Sequence, residues 1–381
     1  GGASGRYQAA GDRAAGGQDM AEVERGSVVR ASRKEASVVK LVVTVDVEED
    51  QWGIVPHCHA TARNVYRLPT LQKLLNEFGI VPTYLLTYPV VRDPHAVGIL
   101  REIFDAGECE IGTHCHPWNT PPYEEPLNKQ NSMLCNLPAT LQFEKLQRLH
   151  EAIQNNFETA PVAFRSGRWG FDAEVARNII RLGYRIDTSV TPYTSWAQAS
   201  GPDFSRFSPR PSMFTEHLRA ERDSNHMLAE IPATIGYLHG DFQACAELVG
   251  RLRRAPFGGF KLGSLLSRLH LLRKVWLSPE METPAIMMQL VRQMRSQGYE
   301  LLNLVFHSSA LLGGCGPFVR SQADEHAFMR KLHTFLCLAL EDGIGFVALS
   351  EAASCCFPLA ADSVIMRDSQ SLATRCPAGM A

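Results

Sequence analysis

The chain has no apolar run long enough to cross a bilayer; stretches such as 41–45 and 304–306 are strand-sized. Its first 37 residues are rich in Gly, Ala, Arg and Glu and hold no apolar block of the signal-peptide kind. These two absences predict a soluble protein, with the cytoplasm as the expected compartment. Neither sign of charge is in excess, with 38 Lys+Arg against 40 Asp+Glu, so nothing global calls for a nucleic-acid partner. None of the ten cysteines stands in a C-x-x-C pair, which argues against a cysteine-based structural zinc site. The chain is too long to need a disulfide scaffold, so its cysteines are expected to be reduced, small apolar residues. No internal repeat is detectable, which argues against a solenoid.

What is present is a large core: 45% of the 381 residues are hydrophobic. Residues 1–37 are expected to be disordered, 38–358 to form one domain, and 359–381 to be a flexible tail. The β-branched run 38–47 reads as a buried strand. A helix opened by Pro69 and closed by Gly79 follows, with Leu71, Leu74, Leu75 and Phe78 on one face. The same step then recurs, a helix ending in Gly followed by a β-type run. Gly79 precedes 80–86, Gly107 precedes 108–114, Gly183 precedes 184–190, Gly298 precedes 299–307, and Gly343 precedes 344–349. Each Gly falls where a left-handed residue would close the helix. Residues 162–165 and 227–235 are further strand candidates. Repeated helix–strand units predict a parallel sheet, either a barrel or a doubly wound layer, and both place ligands at the carboxyl ends of the strands.

Those ends carry the ionisable residues. The first strand ends in Asp46 and Glu48, the third in His114 with His116 beyond it. Run 162–165 ends in Arg165, run 184–190 carries Asp187, and run 299–307 ends in His307. A single Asp at such a position is usually a turn or cap residue, and a single His is usually structural. Several at one edge of one sheet point to a site. Asp46 and Glu48 are i and i+2, so both carboxylates face one way, and so do His114 and His116 if the backbone stays extended. Two imidazoles and a carboxylate make the ligand set of catalytic zinc and related ions. His307 is placed to protonate a leaving group.

These motifs resemble those of the polysaccharide deacetylase family, the NodB-homology hydrolases. Thr44-Val45-Asp46-Val47-Glu48 resembles the first family motif and Glu110-Ile111-Gly112-Thr113-His114 the second. The segment from Phe164 to Gly170 is similar to the third, Arg185-Ile186-Asp187-Thr188-Ser189 to the fourth, and Leu304-Val305-Phe306-His307 to the fifth. The resemblance implies a distorted (β/α) barrel of about seven strands of the glycoside hydrolase/deacetylase type. It implies metal-dependent removal of acetyl groups from N- or O-acetylated sugars of a surface polysaccharide or its lipid-linked precursor. By the same resemblance Asp46 is the general base, Arg165 holds it, His307 is the general acid and Asp187 tunes it. The divalent ion, expected to be zinc, would sit on Glu48, His114 and His116. Two departures stand out. Val47 occupies the slot of a usual second Asp, and the second His comes at i+2 instead of i+4, where Trp118 stands. His114-Cys115-His116-Pro117-Trp118 resembles a distinct branch linked to cell-surface polysaccharide clusters, with Ala310 where Glu is common. Hydrolysis of another non-peptide C–N bond, or carbohydrate binding without catalysis, remain alternatives.

Three features lie outside the motifs. His57 and His59 flank Cys58 and are expected to be solvated loop residues. Trp52, Trp118 and Trp169 follow strand ends and suit sugar stacking as well as rim packing. The segment 251–277 carries seven Lys/Arg and no acid, with Leu262, Leu265, Leu266, Leu269 and Leu272 on one helical stripe. It reads as a barrel-covering helix, with contact to an anionic membrane surface as the minor alternative.

Overall fold

A computed structural model describes residues 38–215, 227–254 and 272–357. The expected disordered start, the tail and much of the basic segment lie outside those residues.

Seven strands run parallel in the order β10-β1-β2-β3-β4-β5-β7. They are β1 (Lys40–Val47), β2 (Thr83–Leu86), β3 (Glu110–Cys115), β4 (Ala163–Ser166), β5 (Ile186–Asp187), β7 (Met227–Glu230) and β10 (Leu301–His307). Strand β6 (Ser212–Thr215) lies antiparallel on the β7 edge, and the short β11 (Gly345–Phe346) adds parallel to β1. Backbone bonds span the remaining gap between β7 and β10. Thr234 donates its N–H to the Asn303 carbonyl at 3.2 Å, and Val305 donates to the Leu277 carbonyl at 3.2 Å. Leu277 in turn donates to the Thr234 carbonyl at 2.8 Å, so the curled sheet becomes a distorted barrel.

Helices cover the outside: α1 (Leu68–Asn76), α2 (Tyr88–Arg92), α3 (Pro94–Asp105), α4 (Ala139–Phe157), α5 (Ala173–Arg181), α6 (Phe242–Arg254), α7 (Pro284–Ser296), α8 (Gln322–Glu341) and α9 (Leu349–Cys356). Their apolar faces bury Leu71, Leu100, Leu149, Ile179, Leu290 and Leu332 against the sheet in one continuous core. The five glycines of the repeated step all carry left-handed φ, from 65° at Gly79 to 94° at Gly183, as the helix-closing reading requires.

Two expected elements differ. Run 227–235 is not one strand: it breaks at Pro232, which has no N–H for a ladder, and resumes as β8 (Ile235–Tyr237) in a separate two-stranded antiparallel sheet. Its partner strand is β9 (Lys274–Trp276), so the end of the basic segment is a strand and not the continuation of a helix. Most of its leucine stripe lies outside the described residues; Leu272 packs against the core. Among the described residues no helix is long and apolar enough to cross a membrane.

Candidate active site

Parallel pairing fixes which strand-end residues become neighbours. Asp46 is in register with His307, His114 with Arg165, and Asp187 with Glu230. In β1 the i,i+2 alternation carries Asp46 onward to Glu48 at the barrel mouth, and in β3 it carries His114 to His116.

Glu48, His114 and His116 are all buried, and each offers one ligand atom within 4.8 Å of the other two. His116 Nε2 lies 3.5 Å and His114 Nε2 4.0 Å from Glu48 Oε2. The outer ring nitrogens decide what faces inward. His114 Nδ1 is 3.1 Å from the Arg165 carbonyl, which can only accept, so Nδ1 carries the proton and the Nε2 lone pair faces the group. His116 Nδ1 is 2.9 Å from Glu49 Oε1, the carboxylate–histidine pairing typical around bound metals. Burial, opposed by the Asp46 charge, pulls His114 down to about 3 and keeps the ring neutral. Burial also pushes the Glu48 carboxyl up to about 7 against the pull of His307 and His116. Two inward imidazole nitrogens and a carboxylate penalised by burial fit a divalent cation, and this is a nitrogen-and-oxygen donor set of the kind found in catalytic sites.

Asp46 lies beside this group. Its Oδ2 is 4.0 Å from His114 Nε2 and 3.8 Å from His307 Nε2. Its Oδ1 accepts from Arg165 Nη1 at 2.5 Å. Burial alone would raise its carboxyl, but the Arg165 guanidinium, with help from the charged His307, outweighs that and holds it below the usual carboxylate range. Arg165 is wholly buried, and besides Asp46 it donates to Thr44 Oγ1 at 2.7 Å, Thr188 Oγ1 at 2.9 Å and the Thr188 carbonyl at 3.0 Å.

Across the mouth, His307 keeps 21% of its side chain exposed. Its Nδ1 is 3.0 Å from Glu280 Oε2. Burial would lower this imidazole, but Glu280, Glu48 and Asp46 overcome it and lift it to about 10. The carboxylate that contacts His307 is thus Glu280 and not Asp187. Asp187 instead accepts from Ser189 Oγ at 2.6 Å and Ser189 N at 3.1 Å and faces Glu230. Burial raises both carboxyls, and the Asp187 charge raises Glu230 further, so Glu230 is the neutral partner of the pair.

Two of these partners escaped sequence reading for one reason. Glu230 ends β7 and Glu280 follows β9, but 227–235 read as one strand and 251–277 as one helix, so neither acid stood at a predicted strand end. Glu49 follows Glu48 directly in the acidic run Glu48-Glu49-Asp50, but nothing in the sequence marks it as the partner of His116. His57 and His59 lie outside the Glu48, His114 and His116 group, and His57 stacks on Tyr123 with ring centres 3.6 Å apart.

The group opens into a pocket of about 320 Å³. All five tryptophans of the chain line it: Trp52, Trp118, Trp169, Trp196 and Trp276. Trp118 stacks on His116 at 4.2 Å, and Trp52 meets His307 edge-on at 5.0 Å. Lys145 on α4 pins the loop bearing Trp118, donating to the carbonyls of Pro117, Thr120 and Pro122 at 3.0, 2.7 and 2.5 Å.

No family model and no curated protein matches this sequence. Solved structures do match. A Parabacteroides distasonis protein, provisionally described as a glycoside hydrolase/deacetylase, superposes with a TM-score of 0.50 at 10% identity, over 84% of this chain and 72% of its own. The fold is that of this glycoside hydrolase/deacetylase-type (β/α) barrel. A Mycobacterium smegmatis protein, provisionally described as a polysaccharide deacetylase, gives a TM-score of 0.49 at 17% identity over 85% of this chain and 91% of its own. Puue allantoinase gives 0.46 at 12% identity over 87% and 97%.

Proposed function

We propose that this chain is a metal-dependent deacetylase of the polysaccharide deacetylase type, hydrolysing N- or O-acetyl groups on a carbohydrate. The observation that carries this reading is the meeting of three elements at one barrel mouth: the Glu48, His114 and His116 group, the Asp46–Arg165 pair, and the His307–Glu280 pair. A divalent ion, with zinc the best match to the donor set, would be held by Glu48, His114 and His116 and would polarise the acetyl carbonyl and acidify a water. Asp46, kept ionised by Arg165, accepts the proton of the attacking water as general base. His307, kept charged by Glu280, delivers a proton to the departing nitrogen or oxygen as general acid. The Asp187–Glu230 pair supports the wall that carries Arg165 and Thr188 and does not touch the reacting groups. The tryptophan lining suits the apolar faces of a sugar ring.

Acetate release from acetylated oligosaccharides, measured before and after metal removal, tests the reading. Activity should vanish with chelation and return with a divalent ion. Asp46→Asn should lose about 10²–10⁴-fold in kcat. Metal-independent acetate release, or an Asp46→Asn variant at full rate, counts against it. Release from neither esters nor amides under any metal would favour a carbohydrate-binding role.

A further inference from the structure

We infer that Arg168 is a receptor for an anionic group on the substrate, a carboxylate or phosphate borne by the acetylated sugar; this rests on the deacetylase reading above. Arg168 lines the same pocket as Glu48, His114 and His116. Its Nε is buried without a hydrogen-bond partner, and no carboxylate among the described residues pairs with its guanidinium. The other charged groups of the pocket have partners: Asp46 has Arg165, Glu49 has His116, and Glu280 has His307. Arg168 is the pocket cation left without a counter-charge among the described residues. An unpaired, partly buried donor is costly unless something completes it, and the planar fork of a guanidinium matches a carboxylate or phosphate.

The backbone supports the same assignment. Arg168 and the next residue, Trp169, both adopt left-handed φ, 53° and 62°, a conformation glycine would take without strain. The turn is clamped on both sides. A Cβ on Gly167 would meet the ring of His116 and lie 2.5 Å from the Cys115 carbonyl oxygen, and the Gly170 carbonyl accepts from Ser166 Oγ at 2.8 Å. Strained side-chain-bearing residues at a site rim are kept where their side chains are used. Here the chain holds a cation and an indole against the pocket, directly after a glycine where an added Cβ would run into the ring of a candidate ligand.

Because every tryptophan lines the pocket, intrinsic fluorescence reports on its occupancy without any turnover. The metal-loaded protein is titrated with glucose, glucuronate and glucose 6-phosphate. A saturable change with an anionic sugar, at concentrations where glucose gives none, is expected, and the tighter of the two anions identifies the source of the charge. Arg168→Gly removes the cation while relieving the left-handed strain, so it should fold; it should weaken anion binding about tenfold or more. Arg168→Lys should retain part of it. Equal affinity for glucose and both anions, or an Arg168→Gly variant that binds them as tightly as the parent, overturns the assignment. Acetate release from matched neutral and anionic acetylated sugars separates the two claims. Anion binding with no release from any sugar contradicts deacetylation alone, and release without anion preference contradicts the role of Arg168 alone.

Discussion

Glu280 sets the charge of His307. The imidazole sits near 10 because Glu280, Glu48 and Asp46 overcome its burial, so it is protonated through the neutral range. A folded-state pKa raised above the ordinary 6.5 contributes stability that is complete below 6.5 and lost as pH rises through about 10. Glu280→Gln removes the carboxylate that contacts the ring, so the folded value falls. The alkaline limb of the kcat/KM profile should then move to lower pH, and the alkaline loss of stability should shrink. A pH–rate series on parent and variant checks this; superimposable alkaline limbs would show that Glu280 does not govern the acid. Asp46 and Arg165 form the opposite case, a pair with almost no solvent. Removing Arg165 strands a buried carboxylate, and such losses cost about 3–5 kcal/mol.

At the scale of elements, two packing features hold the site. The turn after β4 passes so close to β3 that Gly167 has no room for a side chain: an added Cβ would meet the His116 ring and the Cys115 carbonyl. Gly167→Ala must therefore displace His116 or the turn. Metal affinity should fall about 10–100-fold, the range seen when support around a ligand is disturbed. Calorimetric titration of the metal-free variant is the check, and unchanged affinity would refute the constraint. The second feature is Lys145, fully buried on α4 and joined to three carbonyls of the Trp118 loop and to Glu125 at 3.0 Å. Lys145→Met leaves those acceptors and Glu125 without their donor. It should cost about 3 kcal/mol or more by denaturant unfolding and raise KM by loosening Trp118.

The strand ends were the legible part of the sequence. Asp46, His114 and His307 could be placed because each lies at or within one residue of the end of a strand whose start is marked by a helix-closing glycine or a β-branched run, and Arg165 because it follows the short apolar run 162–164. Pairing partners were harder to read. Proximity between Glu280 and His307, or between Glu49 and His116, depends on barrel curvature and on loops that leave no periodic trace in the sequence. Broken strands hid the rest. Pro232 divides one apparent run, and β9 is too short to stand out from a basic, leucine-rich segment.

For the molecule as a whole, the barrel gathers residues from Asp46 to His307 at one mouth, and the placement makes sense chemically if a cation binds there. X-ray absorption at the metal edge of the zinc-loaded protein tests that claim most directly. The Glu48, His114 and His116 group predicts one ion per chain with nitrogen and oxygen scatterers at about 2.0–2.2 Å and imidazole outer-shell scattering, abolished by His114→Ala. Sulfur scatterers at about 2.3 Å, which would point to the cysteines, or an unchanged spectrum in His114→Ala, would contradict it.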